Sequence, residues 1–313
     1  MRRIRSFLLL ALGFGVIASV LGVGRAAVLA STTPHIMEIM EENVAYSSSD
    51  GSPSIIGSSN APFLNSLAGS HASATQWFSN EHASANDYNI AIAGSDFGDK
   101  KLGIPATDLT LVNELDSNGV SWKGYMESMP AACDTSSNIG SGGLYDEAHD
   151  PFVHFKAITS APNNECATHV VGFITQSSVV TDLDLSSPAF VWVTPNVCDD
   201  MHQKCGSNRV AAGDKWLKTF IPAVMGTQWY ASGGVIIITW DESSKDAQAC
   251  CADPGGGHIA TLVISSTASG QFTSTGDHDG TLRAIEEAYG LSGSELLGGS
   301  SSITHGDLTG AGV

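Results

Sequence analysis

The chain has 313 residues, with 14 Lys and Arg against 32 Asp and Glu, a formal net charge of −18. A surface this acidic repels nucleic-acid backbones and anionic membrane faces, so nucleic acid is excluded as a partner. An anionic substrate would have to find local positive charge, and a bound cation is its simplest source.

In chain order, the first segment is a leader. Arg2, Arg3 and Arg5 give a basic start, Phe7 to Val23 is almost wholly apolar, and Val28-Leu29-Ala30 fits a cleavage site before Ser31. The apolar run is near the length that spans a bilayer, but its glycines and alanine-rich exit favour a cleaved leader over a retained anchor. Residues 1–30 are therefore read as a signal peptide. The mature protein is then secreted, periplasmic or part of the cell envelope, without stable membrane insertion.

His35 to Met40 reads as a first strand, ending in Glu41-Glu42-Asn43. A Ser/Gly-rich loop runs from Tyr46 to Asn60, and a helix opens at Ala61 with Asn60 as its cap. Gln76 to Phe78 is a short strand, and Tyr88 to Ala93 continues a helix opened near Ser84. Leu109 to Leu115 is a small helix, Val120 to Met129 holds a strand that leads to another helix, and 133–150 is irregular. Ala189 to Thr194 is a strand, and Asp214 to Tyr230 carries a helical pattern. Gly234 to Trp240 is a continuous apolar run, the mark of a central strand covered on both faces. His258 to Ser265 is a further strand, and Thr281 to Tyr289 a helix closed by Gly290.

Strands alternating with helices define an α/β fold, a three-layer sandwich with a largely parallel central sheet. One domain spans 31–297, with 95–170 as an insertion or cap. A Gly/Ser-rich tail over 298–313 is peripheral. The six cysteines of an exported chain imply disulfides. Cys198 with Cys205 is the first pair and Cys133 with Cys166 the second. The adjacent Cys250 and Cys251 leave either a vicinal bond or a different scheme.

Polar residues collect where strands end: Glu42-Asn43, Asp199-Asp200-Met201-His202 and Asp241-Glu242. In open α/β sheets, ligands bind beyond the carboxyl ends of the strands. Three acidic groups there repel one another unless a cation joins them. Singly, each is equally an ordinary loop residue. His202 lies two residues past Asp200, so both can approach one ion. His258 follows three glycines that let backbone come close to a ligand. His278, just ahead of a helix, can donate to a phosphate oxygen or merely belong to a capping loop. Ser84 at a helix start is a cap, or a nucleophile whose attached phosphoryl group the helix N–H groups would stabilise. No G-x-S-x-G elbow, P-loop or G-x-G-x-x-G occurs.

The same residues, in order, resemble the bacterial phosphoesterase family of acid phosphatases and phospholipase C enzymes, related to the alkaline phosphatase superfamily. Glu42-Asn43 looks like its opening motif, followed by Ala61-Pro62-Phe63-Leu64 and His149-Asp150-Pro151-Phe152. Thr194-Pro195-Asn196 and Asp199-Asp200-Met201-His202 come next. Ile238-Thr239-Trp240-Asp241-Glu242 is the most specific match, and Gly256-Gly257-His258 and His278 complete it. The likeness runs from about His35 to Gly290. It implies an alkaline phosphatase-like fold and hydrolysis of a small phosphate ester or a phospholipid, with the oligomeric state left open.

The resemblance further implies that Ser84 attacks phosphorus beside a divalent cation of unspecified identity. Glu42, Asn43, Ser84, Asp200, Asp241 and Glu242 are the implied ligands. His149, His202, His258 and His278 would stabilise phosphoryl oxygens or protonate the leaving group. The chain departs from the family around the serine, where Ala83, Asn86 and Asp87 replace two prolines and an asparagine. An ionised Asp87 could not donate to phosphate. That change keeps open a binding protein of the same fold with reduced activity.

Overall fold

Short apolar runs become the strands of one eight-stranded sheet: β1 (Ile36–Glu41), β2 (Ala72–Ser79), β3 (Trp122–Glu127), β4 (Val170–Phe173), β5 (Phe190–Thr194), β6 (Val235–Trp240), β7 (Gly257–Ile264) and β8 (Gly270–Phe272). The computed structural model describes residues 33–313 apart from 49–51, 140–141, 163–164, 204, 246–247 and 252–254. The leader read over 1–30 lies outside the described residues. Strand order is β4-β3-β5-β1-β6-β7-β2-β8. β1 pairs in parallel with β5 and β6, and β3 with β4 and β5. β2 pairs in parallel with β8, and β7 alone runs antiparallel, between β6 and β2. The sheet is thus largely parallel, as the alternating pattern requires.

Among the described residues, ten α-helices accompany it: α1 (Pro62–Ser70), α2 (Ser84–Ala93), α3 (Leu111–Ser117), α4 (Pro151–His154), α5 (Lys156–Thr159), α6 (Glu165–His169), α7 (Gln176–Ser186), α8 (Arg209–Met225), α9 (Gln228–Ala231) and α10 (His278–Ala288). β3 shows why there are three layers. Its alternate residues point to opposite faces. A Cβ on Gly124 would meet the Phe152 ring of α4 at 2.6 Å, so only glycine admits that helix. On the other face, Tyr125 donates to Asp182 of α7 at 2.7 Å, and Trp216 of α8 donates to Glu127 at 3.2 Å.

Several expectations are corrected here. Asn60 does not cap α1, whose N-cap is Ala61, without a side-chain bond. The Asp214 carboxylate of α8 instead accepts from Phe63 N at 3.2 Å and Leu64 N at 2.9 Å. The helix end is satisfied from 150 positions away, which no local pattern encodes. Segment 95–170 is in part sheet, since β3 lies between β4 and β5. β3 leads into irregular chain rather than a helix. The stretch 298–313 is packed, with Ser300 and Leu308 fully buried and Ser300 Oγ donating to Glu286 of α10 at 2.6 Å.

β1 is buried along its whole length, including Glu38, whose two oxygens have no hydrogen-bond partner. Burial pushes the Glu38 carboxyl from 4.5 up to about 8. Its folded value lies above its unfolded one. Its contribution is therefore fully present below about pH 4.5 and is lost as pH rises to about 8, roughly 5 kcal/mol in all. Glu38→Gln is expected to match the parent in acid and to be more stable above neutrality. Urea melts at pH 5 and pH 8 check this, and a pH-independent difference would refute it.

Candidate active site

Every parallel strand near the sheet centre delivers its polar residues to one edge. β1 ends in Glu42-Asn43, β6 in Asp241-Glu242, β5 leads to Asp200 and His202, and β2 leads to Ser84. Asn43 turns the chain with φ +49°, a conformation asparagine tolerates better than most residues. Its N–H donates to Asp241 Oδ1 at 2.8 Å, and its side-chain amide to Glu42 Oε2 at 2.8 Å. Glu242 N donates to the same Asp241 oxygen at 2.6 Å. Asp241 is thereby fixed with one oxygen used, and its buried Oδ2 has no partner.

Ser84 is the first residue of α2. The N-cap is Ala83, which makes no side-chain bond, so the Ser84 hydroxyl is not used as a cap. It donates instead to Glu42 Oε2 at 3.1 Å. Glu42 Oε1 is buried without a hydrogen-bond partner, 3.4 Å from His149 Nε2. His149 Nδ1 faces Asp200 Oδ2 at 3.2 Å, and its ring stacks on Tyr88 with centroids 5.6 Å apart. The His202 ring meets His149 edge-on at 5.1 Å. Ligand atoms of Glu42, His149 and His202 all lie within 4.8 Å of one another. Ser84, His149 and His202 line one cavity of about 350 Å³, with Asn86, Asp99, Lys101 and Asp146.

The electrostatics follow from burial. Burial pushes the Glu42 carboxyl well above the usual range, and the Asp241 and Asp200 charges add to this. Burial also raises Asp200, with His149 opposing. For His149, burial alone would lower the value, but the Asp200 carboxylate raises it above the ordinary imidazole range. Burial lowers both His202 and His278. A site of buried acids without compensating cations is costly, and it holds protons until positive charge is supplied.

His278 lies at the start of α10, where its Nε2 donates to the Asp241 carbonyl at 2.8 Å. Glu242 pairs with His82 Nδ1. Arg209 donates to Met201 O at 2.6 Å and to Asn43 O at 2.7 Å, tying the two acidic loops together. Sequence reasoning did not single out Arg209, Lys101, Tyr88 or His82. With so few cations in an acidic chain, scarcity is the signal that picks out the first two.

His258 is not brought into this cluster. Its ring is clamped between Tyr46 and Phe78, at 4.3 and 4.9 Å, and Nε2 donates to Thr75 O at 3.1 Å. The glycines before it approach backbone, not ligand: a Cβ on Gly256 would meet Glu81 O at 1.7 Å. Asp87, expected to add charge near the serine, is wholly buried and does not line the cavity. Burial and the neighbouring Asp241 push its carboxyl well above the usual range. Asn86 lines the cavity beside Ser84, and its amide donates to Glu81 Oε2 at 2.7 Å and Asp99 Oδ1 at 2.6 Å.

The fold is similar to that of solved proteins of the alkaline phosphatase superfamily. A superfamily member from Vibrio parahaemolyticus aligns over 88% of this chain and 70% of its own, with a TM-score of 0.57 at 12% identity. TAB5 alkaline phosphatase, solved as a mutant with Mg bound, aligns over 83% of this chain and 99% of its own, with a TM-score of 0.51 at 9% identity. A model of the Phosphoesterase family matches residues 54–292, and the chain belongs to that family, as a phosphoric ester hydrolase. It is 31% identical over 274 residues to a phosphatidylinositol-3-phosphatase of Mycobacterium tuberculosis, covering 86% of this chain and 81% of the relative. It is 27% identical over 185 residues to a phosphate-repressible acid phosphatase of Penicillium chrysogenum. That alignment covers 57% of this chain and 43% of the fungal protein.

Proposed function

We propose that the chain hydrolyses phosphomonoesters through a serine nucleophile, Ser84, assisted by a divalent cation. The observation that carries this is Ser84 at the first turn of α2, held by Glu42 and lining a cavity with His149 and His202. Glu42 fixes the hydroxyl hydrogen, which leaves an oxygen lone pair for in-line attack. Ser84 Oγ bonds to phosphorus and its proton passes to Glu42 Oε2 as the ester P–O bond breaks, and the departing alkoxide takes a proton from His149 or His202. Water then cleaves the phosphoserine, releasing phosphate and restoring the hydroxyl. The first turn of α2 directs N–H groups to this end of the helix, which suits phosphoryl oxygens.

The residues present fit a cation. Glu42 Oε1, Asp241 Oδ2 and His202 Nδ1 are buried without hydrogen-bond partners. Glu42 and Asp241 would hold the ion, with His149 and His202 close to Glu42. It would lower the Ser84 hydroxyl pKa and neutralise developing charge. We assign Asp200 to orienting His149, Glu242 to His82, and the Asn43 amide to Glu42, because those bonds already occupy them. His278 supports Asp241 through its carbonyl.

Both relatives named above are phosphatases, which favours a monoester over the diester cleaved by a phospholipase C. The monoester can be soluble or carried on an inositol lipid. Export is supported by the leader and by three disulfides, Cys133–Cys166, Cys198–Cys205 and Cys250–Cys251. Among the described residues, no helix is long and apolar enough to cross a membrane. The test is phosphate release from p-nitrophenyl phosphate and phosphatidylinositol 3-phosphate vesicles, beside a diester and phosphatidylcholine, with divalent ions varied. Turnover of monoesters is expected. Cleavage of phosphatidylcholine alone, or of nothing with any ion, would overturn the proposal.

A further inference from the structure

The loop between β6 and β7 carries a bond with no part in the catalytic cavity. Cys250 and Cys251 are joined to each other. A bond between neighbours closes no chain loop, so the usual unfolded-state stabilisation by a disulfide hardly applies to it. Its sulfurs instead face a carboxylate, which a histidine reaches in turn. Cys250 Sγ lies 3.8 Å from Asp277 Oδ2, and ligand atoms of Cys250, Cys251 and Asp277 all lie within 4.8 Å of one another. His305 Nε2 is 3.3 Å from the same Asp277 oxygen.

Asp277 is held in place independently of these contacts. It is 1% exposed, and its Oδ1 accepts from Gly280 N at 3.1 Å as the N-cap of α10. The His305 loop reaches it only because glycines line the way. A Cβ at Gly276 or Gly280 would stand 2.6 or 2.5 Å from Gly306 O. The β6–β7 loop and the start of α10 thus bring two sulfurs and a carboxylate oxygen together, and His305, from a third segment, reaches that carboxylate oxygen. That mixed set, with two sulfurs, suits a tetrahedral thiophilic ion such as Zn²⁺ rather than Mg²⁺ or Ca²⁺.

We infer that Cys250, Cys251, Asp277 and His305 form a redox-gated zinc-type site, closed while the two sulfurs are bonded to each other and opened by a dithiol. In the opening step an external dithiol breaks the Cys250–Cys251 bond. Two electrons and two protons pass to the two sulfurs, and the dithiol leaves as its own disulfide. Binding of the ion then releases the two thiol protons to solvent. The site is separate from the cavity at Ser84 and shares no residue with it.

Cobalt(II) distinguishes the two sites, because only a thiolate ligand gives a sulfur-to-cobalt charge-transfer absorption. The mature protein is reduced with limited dithiothreitol, desalted under argon, checked for fold by near-ultraviolet circular dichroism, and titrated with Co²⁺. One equivalent is expected to bind with the charge-transfer band, to be displaced by Zn²⁺, and to give no band in oxidised protein. The C250S/C251S variant keeps the other four cysteines and is expected to lose the band. His305→Ala, away from the helix cap, is expected to weaken Co²⁺ binding by about tenfold or more. A folded, reduced protein without the band would overturn the inference. So would a band that survives in C250S/C251S, or an affinity indifferent to His305→Ala.

Discussion

Ser84→Ala is expected to leave a folded protein whose kcat is lower by about 10³-fold or more. The structure separates this loss from instability. A serine that caps a helix costs about 1 kcal/mol when replaced by alanine. Ser84 is not the cap; Ala83 is, and it makes no side-chain bond. Glu42 Oε2 keeps a donor in the variant, because Asn43 Nδ2 also reaches it at 2.8 Å. The melting temperature should therefore hardly move while turnover disappears. Acid quenching of the parent with substrate should trap phosphate on the peptide containing Ser84, and none in the variant. Equal turnover by the two proteins would remove Ser84 from the chemistry.

Stripping divalent cations with a chelator is expected to abolish turnover and lower the melting temperature, by more at pH 8 than at pH 5. Burial raises the folded-state value of Glu42 well above 4.5. Without a cation, the stability tied to its bound proton is full below that unfolded value. It is lost as pH rises through the folded one. A cation takes the place of the proton, so its affinity and its stabilisation grow with pH. At a cation concentration of about 100 times Kd, the gain is about 2.7 kcal/mol. Glu42→Gln should erase both the cation-dependent stabilisation and the activity. Identical melting curves with and without Mg²⁺, Mn²⁺, Ca²⁺ and Zn²⁺ across that pH range would exclude a cation held there.

Much of this was legible in the residues. Apolar runs of strand length, each ending in acid or amide, foretell both the sheet and the edge at which its chemistry gathers. Glu42, Asp241, Asp200 and His202 are read that way because strand ends are local in sequence. What was not legible is settled at long range. Asp214 caps a helix 150 positions away. Arg209 joins two loops through carbonyls, which leave no trace in side-chain identity. His258 follows a glycine run like a ligand-binding residue, yet Tyr46 and Phe78 close on it from both sides. Asp87 reads as a charge beside Ser84, and only its burial shows that it lies off the cavity.

The place of β1 in the sheet bears on how the chain is made. Ile36 pairs with Phe190 on one side and Val235 on the other. During synthesis β1 emerges about 150 residues before β5 and about 200 before β6, and must wait for both. An apolar strand left alone that long is an aggregation hazard. Glu38 and Glu41 interrupt it, and in an unfinished, solvated chain at neutral pH both are charged. The carboxyls that weaken the finished fold in alkali are the gatekeepers of the nascent one. Glu38→Gln should therefore exchange refolding yield for alkaline stability.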